Sequence, residues 1–188
     1  MILKFKYLSL ISLLLIAWPN AKSAENIYLY KGTFSRRIKI EELINFKENK
    51  KPSKKLKNLI KITNQKEEEI QKILSYEIKV PLKTSSKLMN SKIGEVFLTR
   101  LSKIIHPNKI VNKDIGTKAI RSGIILGSLN NNEKINLIKF FQAYPNKNIA
   151  IDLNALGKTL EKVESLTELI EFYSNSPLKT LKDGRSKN

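Results

Sequence analysis

Few side chains in this sequence of 188 residues could serve as a nucleophile and its base. The sequence has no cysteine and one histidine, His106 in "IIHPN". A serine hydrolase of the α/β type needs a G-x-S-x-G turn, an acid and a histidine. The stretch "RSGIILGS" offers Ser122 and Ser128 without that turn. A lone histidine at a helix end more often complements the helix dipole than acts as a base. We therefore predict no catalytic residue.

A metal or cofactor site is not indicated either. With one histidine and no cysteine, a zinc site would need mostly carboxylate ligands, which is uncommon. The seven glycines form neither a G-x-G-x-x-G motif nor a phosphate-binding loop. Glu67, Glu68 and Glu69 leave a carboxylate pair for glycoside cleavage as an open alternative, although acids in a first helical turn also complement the dipole. We predict no metal and no cofactor.

The elements that would position these residues are predicted to be mostly helices. "SKIGEVFLTRLSKII" repeats apolar residues at spacings of three and four, with Ile93, Val96 and Leu101 among them. "NIYLY" and "TFSRRIKI" indicate two strands joined at Gly32, with Phe34 on the same face as Arg36 and Ile38. The sequence therefore predicts a mainly α fold. We expect a single domain over 24–173, with six or seven helices and a small N-terminal β-hairpin.

The stretch "GTKAIRSGIILGSL" is apolar most of the way round, which predicts the central, most buried helix. Gly123 in its interior is expected to allow a close contact with a neighbouring helix. Arg121 is the polar exception on this helix, and it is the candidate contact for an anionic ligand or partner. The structural alternative is an ion pair that ties helices together, for which Asp152 and Glu95 are the candidate acids.

The N-terminus is predicted to be a signal peptide, residues 1–23. Lysines precede an apolar run at 7–18, which is shorter than the roughly 20 residues that span a bilayer. Ser23 and Ala24 flank the expected cleavage site, so the domain would begin at Ala24. An uncleaved anchor is the alternative. We expect export to the periplasm or the thylakoid lumen, and a flexible basic tail at 174–188.

The formal net charge of +18 raises the question of an anionic partner. Much of this charge lies in "KENKKPSKKLKNLIK", which lacks the interleaved aromatic residues that stack on bases. We therefore expect no nucleic-acid partner and keep an anionic membrane or polymer surface as an alternative. A solvated lysine-rich exterior would explain the same composition.

Three stretches together resemble an uncharacterised cyanobacterial domain. They are "AENIYLYKGTFSRRIKIEELINF", "SKIGEVFLTRLSKII" and "GTKAIRSGIILGSLNNNEKINLIKFFQAYPNKNIAIDL". The similarity covers about 24–160. The matching positions are Ile27, Tyr30, Gly32, Ile38, Leu43, Phe46, Gly94, Leu98, Leu101, Gly116, Ala119, Arg121, Phe141, Pro145 and Asp152.

In that family the domain often stands after a signal peptide and in front of a separate α/β-hydrolase domain. The sequence ends where that hydrolase would begin, so we expect the catalytic half to be missing. The resemblance implies an exported, non-catalytic binding or accessory module. Its expected partner is an unknown envelope protein, for which an α/β-hydrolase is a candidate. A hydrolase or hydrolase-assisting protein that acts on envelope esters is the alternative, and a binder of anionic surfaces is a further one.

Overall fold

The structure is a computed structural model, and it describes residues 23–63, 65–110 and 112–160. Within these residues there are eight helices and six strands. The predicted signal peptide, except Ser23, and the predicted tail at 174–188 lie outside the described residues. The helices are α1 (Ile40–Asn49), α2 (Lys54–Ile62), α3 (Glu67–Ser75), α4 (Leu82–Met89), α5 (Lys92–Ser102), α6 (Lys113–Leu129), α7 (Leu137–Ala143) and α8 (Leu153–Leu160). The strands are β1 (Asn26–Lys31), β2 (Phe34–Lys39), β3 (Ile78–Lys79), β4 (Ile105–Pro107), β5 (Lys134–Ile135) and β6 (Asn148–Asp152).

A four-stranded mixed sheet in the order β2-β1-β6-β4 organises the fold. The predicted hairpin is present, since β1 pairs antiparallel with β2 across Gly32, which has a positive φ of 60°. On its other side β1 pairs in parallel with β6, and β4 pairs antiparallel with β6. The prediction of a mainly α fold with only a small hairpin is therefore wrong, and the fold is mixed α/β. β3 and β5 form a separate two-stranded sheet.

The hydrophobic core joins residues of the sheet to residues of the helices. Ile27 and Ile149 face each other across the parallel pair, and both are almost fully buried. Phe46 of α1 and Leu98 of α5 belong to the same core cluster. Burial of large aliphatic and aromatic side chains is the main stabilising contribution to such a domain, at about 25 cal/mol per Å² of apolar surface.

Helix α6 is central, as predicted, because it contacts α4, α5, α7, β4 and β5. Its buried face includes Ala119, Ile120 and Gly123. The expectation that it is enclosed most of the way round is wrong, since Leu126 and Leu129 are exposed. One side of α6 thus reaches the surface.

Tyr144, which follows α7, is fully buried, and within the described residues its hydroxyl has no hydrogen-bond partner. Burial raises the pKa of this hydroxyl. An unpaired buried donor costs about 1–3 kcal/mol, so we expect Tyr144→Phe to raise the free energy of unfolding by about 1 kcal/mol. Urea unfolding followed by circular dichroism measures this change. Tyr30→Phe is the matched control of opposite sign, because the Tyr30 hydroxyl donates to Asn108 Oδ1 at 2.6 Å. Equal effects of the two changes would contradict the prediction.

Candidate binding groove

The inner face of the β1–β2 hairpin extends beyond the helices that cover it. Side chains directly opposite each other on paired strands share a face. Near the start of β1, the opposed pair Ile27 and Ile38 is buried at 1% and 2% exposure. At the turn, Phe34 lies opposite Lys31 on the same face and is 70% exposed. The apolar face therefore continues into solvent at the hairpin end.

An open groove of about 360 Å³ occupies this place, between the hairpin, the end of α2 and the start of α8. It is lined by Leu29, Lys31, Phe34, Arg36, Leu59, Ile62, Thr63 and Leu153. Leu59 anchors α2 in the core, and three residues later Ile62 is 47% exposed on the groove wall. We call these eight residues the groove. Its volume lies within the range of about 300–1,000 Å³ that is typical of small-molecule sites.

A second, smaller cavity of about 130 Å³ adjoins the groove and is lined largely by core residues. The two spaces share Leu29, Leu59 and Thr63. The other residues that line this inner cavity are Ile27, Ile38, Leu43, Leu56, Ile60, Ile70, Phe141 and Ile151. All of them are aliphatic or aromatic, so this second cavity is more apolar than the groove.

The groove has positive charge at its outer end and no acid in its lining. Lys31 and Arg36 are exposed there, and Arg36 Nη1 donates to the Ser35 carbonyl at 3.0 Å. No carboxylate among the described residues forms an ion pair with either cation. The Thr63 hydroxyl donates to the Ile60 carbonyl at 2.7 Å, which commits it to the backbone. The groove can therefore attract an anion at its mouth and hold an apolar group inside.

Arg121, the candidate contact from the sequence, does not line the groove. Its Nε donates to the Met89 carbonyl at 3.0 Å, which ties α6 to the end of α4. The ion pair expected with Asp152 or Glu95 is not present among the described residues. Asp152 instead accepts the backbone N–H groups of Asn154 and Ala155, so it caps α8.

We expect Arg121→Met to lower the free energy of unfolding by about 1–2 kcal/mol. The change removes a hydrogen bond from a charged donor and leaves the carbonyl of the buried Met89 without that partner. Chemical unfolding of Arg121→Met beside Arg121→Lys measures the effect. Lysine restores the charge but not the planar fork, so partial rescue is expected. A variant that unfolds like wild type but loses a ligand would make Arg121 a functional residue.

His106 and Ser102 are neighbours, and each has a polar side-chain atom close to a backbone carbonyl. A Cβ built on Gly116 would lie 3.0 Å from the Ser102 Cβ and 3.7 Å from the His106 Cβ, so the two residues are neighbours. The Ser102 hydroxyl, however, donates to the Thr99 carbonyl at 2.9 Å. His106 lies in β4 rather than at a helix end, and its Nδ1 is 3.0 Å from the Pro107 carbonyl oxygen. No hydrogen bond joins Ser102 to His106 in the part of the chain that the structure describes.

Two of the other polar candidates, Ser128 and Glu67, have structural partners. The Ser128 hydroxyl, fully buried in α6, donates to the Val80 carbonyl. Glu67, Glu68 and Glu69 form the first turn of α3, and Glu67 pairs with Lys57 at 3.5 Å. Across the described ranges, no three His, Cys, Asp or Glu side chains are grouped so that they could hold a metal ion. No helix in those ranges is long and apolar enough to cross a membrane.

Comparison with known proteins gives one family match. Residues 23–152 match DUF1400, a family described as an alpha/beta hydrolase of unknown function, and they make up more than half of the chain. No curated protein matches the chain, and no solved structure matches it. The matched range begins before β1 and ends at the last residue of β6, so it contains the whole four-stranded sheet.

Proposed function

The chain belongs to the DUF1400 family, and from that premise we propose that it is an exported, non-catalytic binding module of the cell envelope. The observation that carries the proposal is the groove. Its walls are apolar, its one hydroxyl is committed to the backbone, and its two charged residues are cations. Such a lining suits retention of a ligand or partner group and contains no carboxylate, imidazole or thiol.

Export is supported by the sequence of residues 1–23, with cleavage proposed between Ser23 and Ala24. Ala24 is buried, and the neighbouring Glu25 N–H donates to the Lys147 carbonyl at 2.9 Å. Because the fold contacts the chain from Ala24 onwards, removal of residues 1–23 would leave these contacts in place. The compartment we propose is the periplasm or the thylakoid lumen.

A role beside a hydrolase is the second candidate, and the family description favours it. In this reading the groove would hold an apolar part of a partner α/β-hydrolase or of its substrate. Adhesion to an anionic surface through the lysines of α2 has less support. Lys55 pairs with Glu42 at 3.4 Å and Lys57 pairs with Glu67 at 3.5 Å, so part of that charge is already neutralised.

An ester-hydrolysis assay tests the non-catalytic assignment. The full chain is incubated with short-chain and long-chain p-nitrophenyl esters, and release of nitrophenol is followed beside Ser102→Ala and His106→Ala. We expect no turnover above buffer for any of the three proteins. Turnover that disappears in either variant would overturn the proposal, because it would give the neighbouring serine or histidine a catalytic role.

A further inference from the structure

We propose that the groove binds an anionic amphiphile with a single acyl chain, such as a long-chain carboxylic acid. The acyl chain lies against the apolar walls, and its carboxylate lies at the mouth between Lys31 and Arg36. This inference rests on the proposed function, since it names the ligand class of the same site.

The shape of the apolar space supports a linear ligand. The outer groove and the inner cavity meet at Leu29, Leu59 and Thr63, which gives one path from the surface towards the core. The volumes of the groove and of the inner cavity are about 360 and 130 Å³. The two adjoining spaces share three lining residues and are lined mainly by apolar side chains, so together they offer a continuous apolar surface for an extended acyl chain.

The distribution of polarity fixes which end of the ligand enters. Every residue of the inner cavity is apolar except Thr63, and the Thr63 hydroxyl is already donated to Ile60. A polar group carried inwards would lose its hydration without gaining a partner, which costs several kcal/mol in an apolar environment. The polar end of the ligand must therefore stay at the mouth.

The two cations at the mouth can reach a single headgroup. Arg36 lies opposite Leu29 and Phe34 lies opposite Lys31, so Lys31 and Arg36 are diagonal neighbours on adjacent strands. Diagonal positions on one face of a sheet are about 7–8 Å apart, within the reach of long side chains. The Arg36 guanidinium suits a carboxylate as a two-pronged donor, and Lys31 adds a second positive charge. The chemistry of the mouth thus selects for an anion.

Two other groups could fill the groove instead of an amphiphile: a further segment of the same chain, or part of a second copy of the protein. Residues 161–173 combine Glu161, Glu164, Glu168 and Glu171 with the apolar Val163, Leu166 and Ile170. This composition gives the segment the same two properties, apolar surface and negative charge, that the groove would select. The test therefore separates it from a free amphiphile.

The test is a fluorescence titration of the full chain with cis-parinaric acid and, separately, with its methyl ester. Both have the same chain, but only the acid has the negative charge. We expect saturable binding, with the acid at least tenfold tighter than the ester. Lys31→Glu combined with Arg36→Glu should weaken binding of the acid tenfold or more and leave the ester unchanged. Equal affinity for the two probes, or no saturable binding of the acid, would overturn the proposal.

A matched pair of variants locates the site. Phe34→Asp places a carboxylate on the groove wall, whereas Ile93→Asp makes the same kind of change on α5 at a residue of similar exposure, 74% against 70%. We expect the first to abolish binding of both probes and the second to leave both unchanged. Equal effects of the two changes would show that the probes bind elsewhere.

Two further readouts separate the possible failures. If the wild-type protein does not bind the acid but the double variant Leu166→Asp, Ile170→Asp does, residues 161–173 are the natural occupant of the groove and the proposal is wrong. If probe binding appears only as the protein dimerises, the second copy forms the site and the proposal is also wrong. Release of free acid from the methyl ester, followed by chromatography, would contradict the non-catalytic assignment itself. If the acid does not bind and no free acid is released from the ester, the proposed ligand class is wrong, but the non-catalytic assignment is not contradicted.

Discussion

Gly94→Ala is expected to lower the free energy of unfolding by about 3 kcal/mol. A Cβ built on Gly94 would overlap the Leu88 carbonyl oxygen, and it would lie 2.8 Å from the carbonyl carbon of Leu88 and 2.9 Å from the Cα of Met89. These are backbone atoms, so no side-chain rotation relieves the overlap. The start of α5 must move away from the end of α4, which also carries the carbonyl that accepts Arg121 Nε.

Thermal unfolding measures this effect, and a loss of about 3 kcal/mol corresponds to a fall in Tm of about 6–12 °C for a protein of this size. Gly157→Ala in α8 is the matched control, because nothing lies within 4 Å of a Cβ built there. Alanine favours a helix interior over glycine by about 1 kcal/mol, so this control is expected to be neutral or slightly stabilising. A Gly94→Ala variant that melts with the control would show that α4 and α5 are farther apart than the structure places them.

Gly123→Leu is expected to cost about 3 kcal/mol, at the upper end of the usual overpacking range. The close contact predicted at Gly123 is confirmed, since a Cβ there would lie 2.9 Å from the Phe140 Cε2 atom of α7. Phe140 is itself held in place, because its ring contacts Phe141 and Tyr144 at centroid distances of 5.5 and 5.8 Å. Leucine therefore has to displace a packed aromatic cluster.

Urea unfolding of Gly123→Leu beside Lys118→Leu isolates the packing effect. Lys118 is exposed on the same helix, so its change to leucine alters the composition of α6 without new core contacts. We expect the control to stay within about 0.5 kcal/mol of wild type. If the two variants unfold alike, α6 and α7 do not approach as closely as Gly123 indicates.

Local patterns predicted the helices well but did not give the orientation of α5. The three-four spacing in "SKIGEVFLTRLSKII" is confirmed as a helix, yet Ile93 and Val96 are 74% and 54% exposed. The buried face runs through Gly94 and Leu98 instead. The close approach of α4 at Gly94 turns the apolar residues on either side of it outwards. A pattern of side-chain types gives the period of a helix, but the neighbour that it packs against decides which residues are buried.

The sheet could not be derived from local patterns because its partners are distant in sequence. "IIHPN" was expected to be a helix end, and neither it nor "NIAID" was predicted to be part of a sheet. Both become strands only because β6 inserts between β1 and β4. The placement of His106 in β4 follows from that pairing, so its surroundings could not be predicted either.

Only part of the groove could be predicted from the sequence. The alternation that places Phe34, Arg36 and Ile38 on one face was predicted, and it is confirmed by the pairing with β1. The opening exists because α2 reaches the surface at Ile62, beside the hairpin end. That position depends on the packing of α2 in three dimensions. Arg121 as a ligand or partner contact stays a prediction, since the structure places it outside the groove with its Nε bound to the Met89 carbonyl.

The parallel pairing of β1 with β6 has a consequence for the order of events during synthesis. Asn26 and Asn148, joined by a side-chain hydrogen bond, are 122 residues apart. At about 5–20 residues per second, roughly 6–25 s separate the synthesis of the two strands. A two-stranded hairpin alone is marginal in water, and the free edge of β1 can meanwhile pair with other chains. The groove wall is therefore assembled late, and premature termination before β6 is expected to leave an aggregation-prone fragment rather than a smaller folded one.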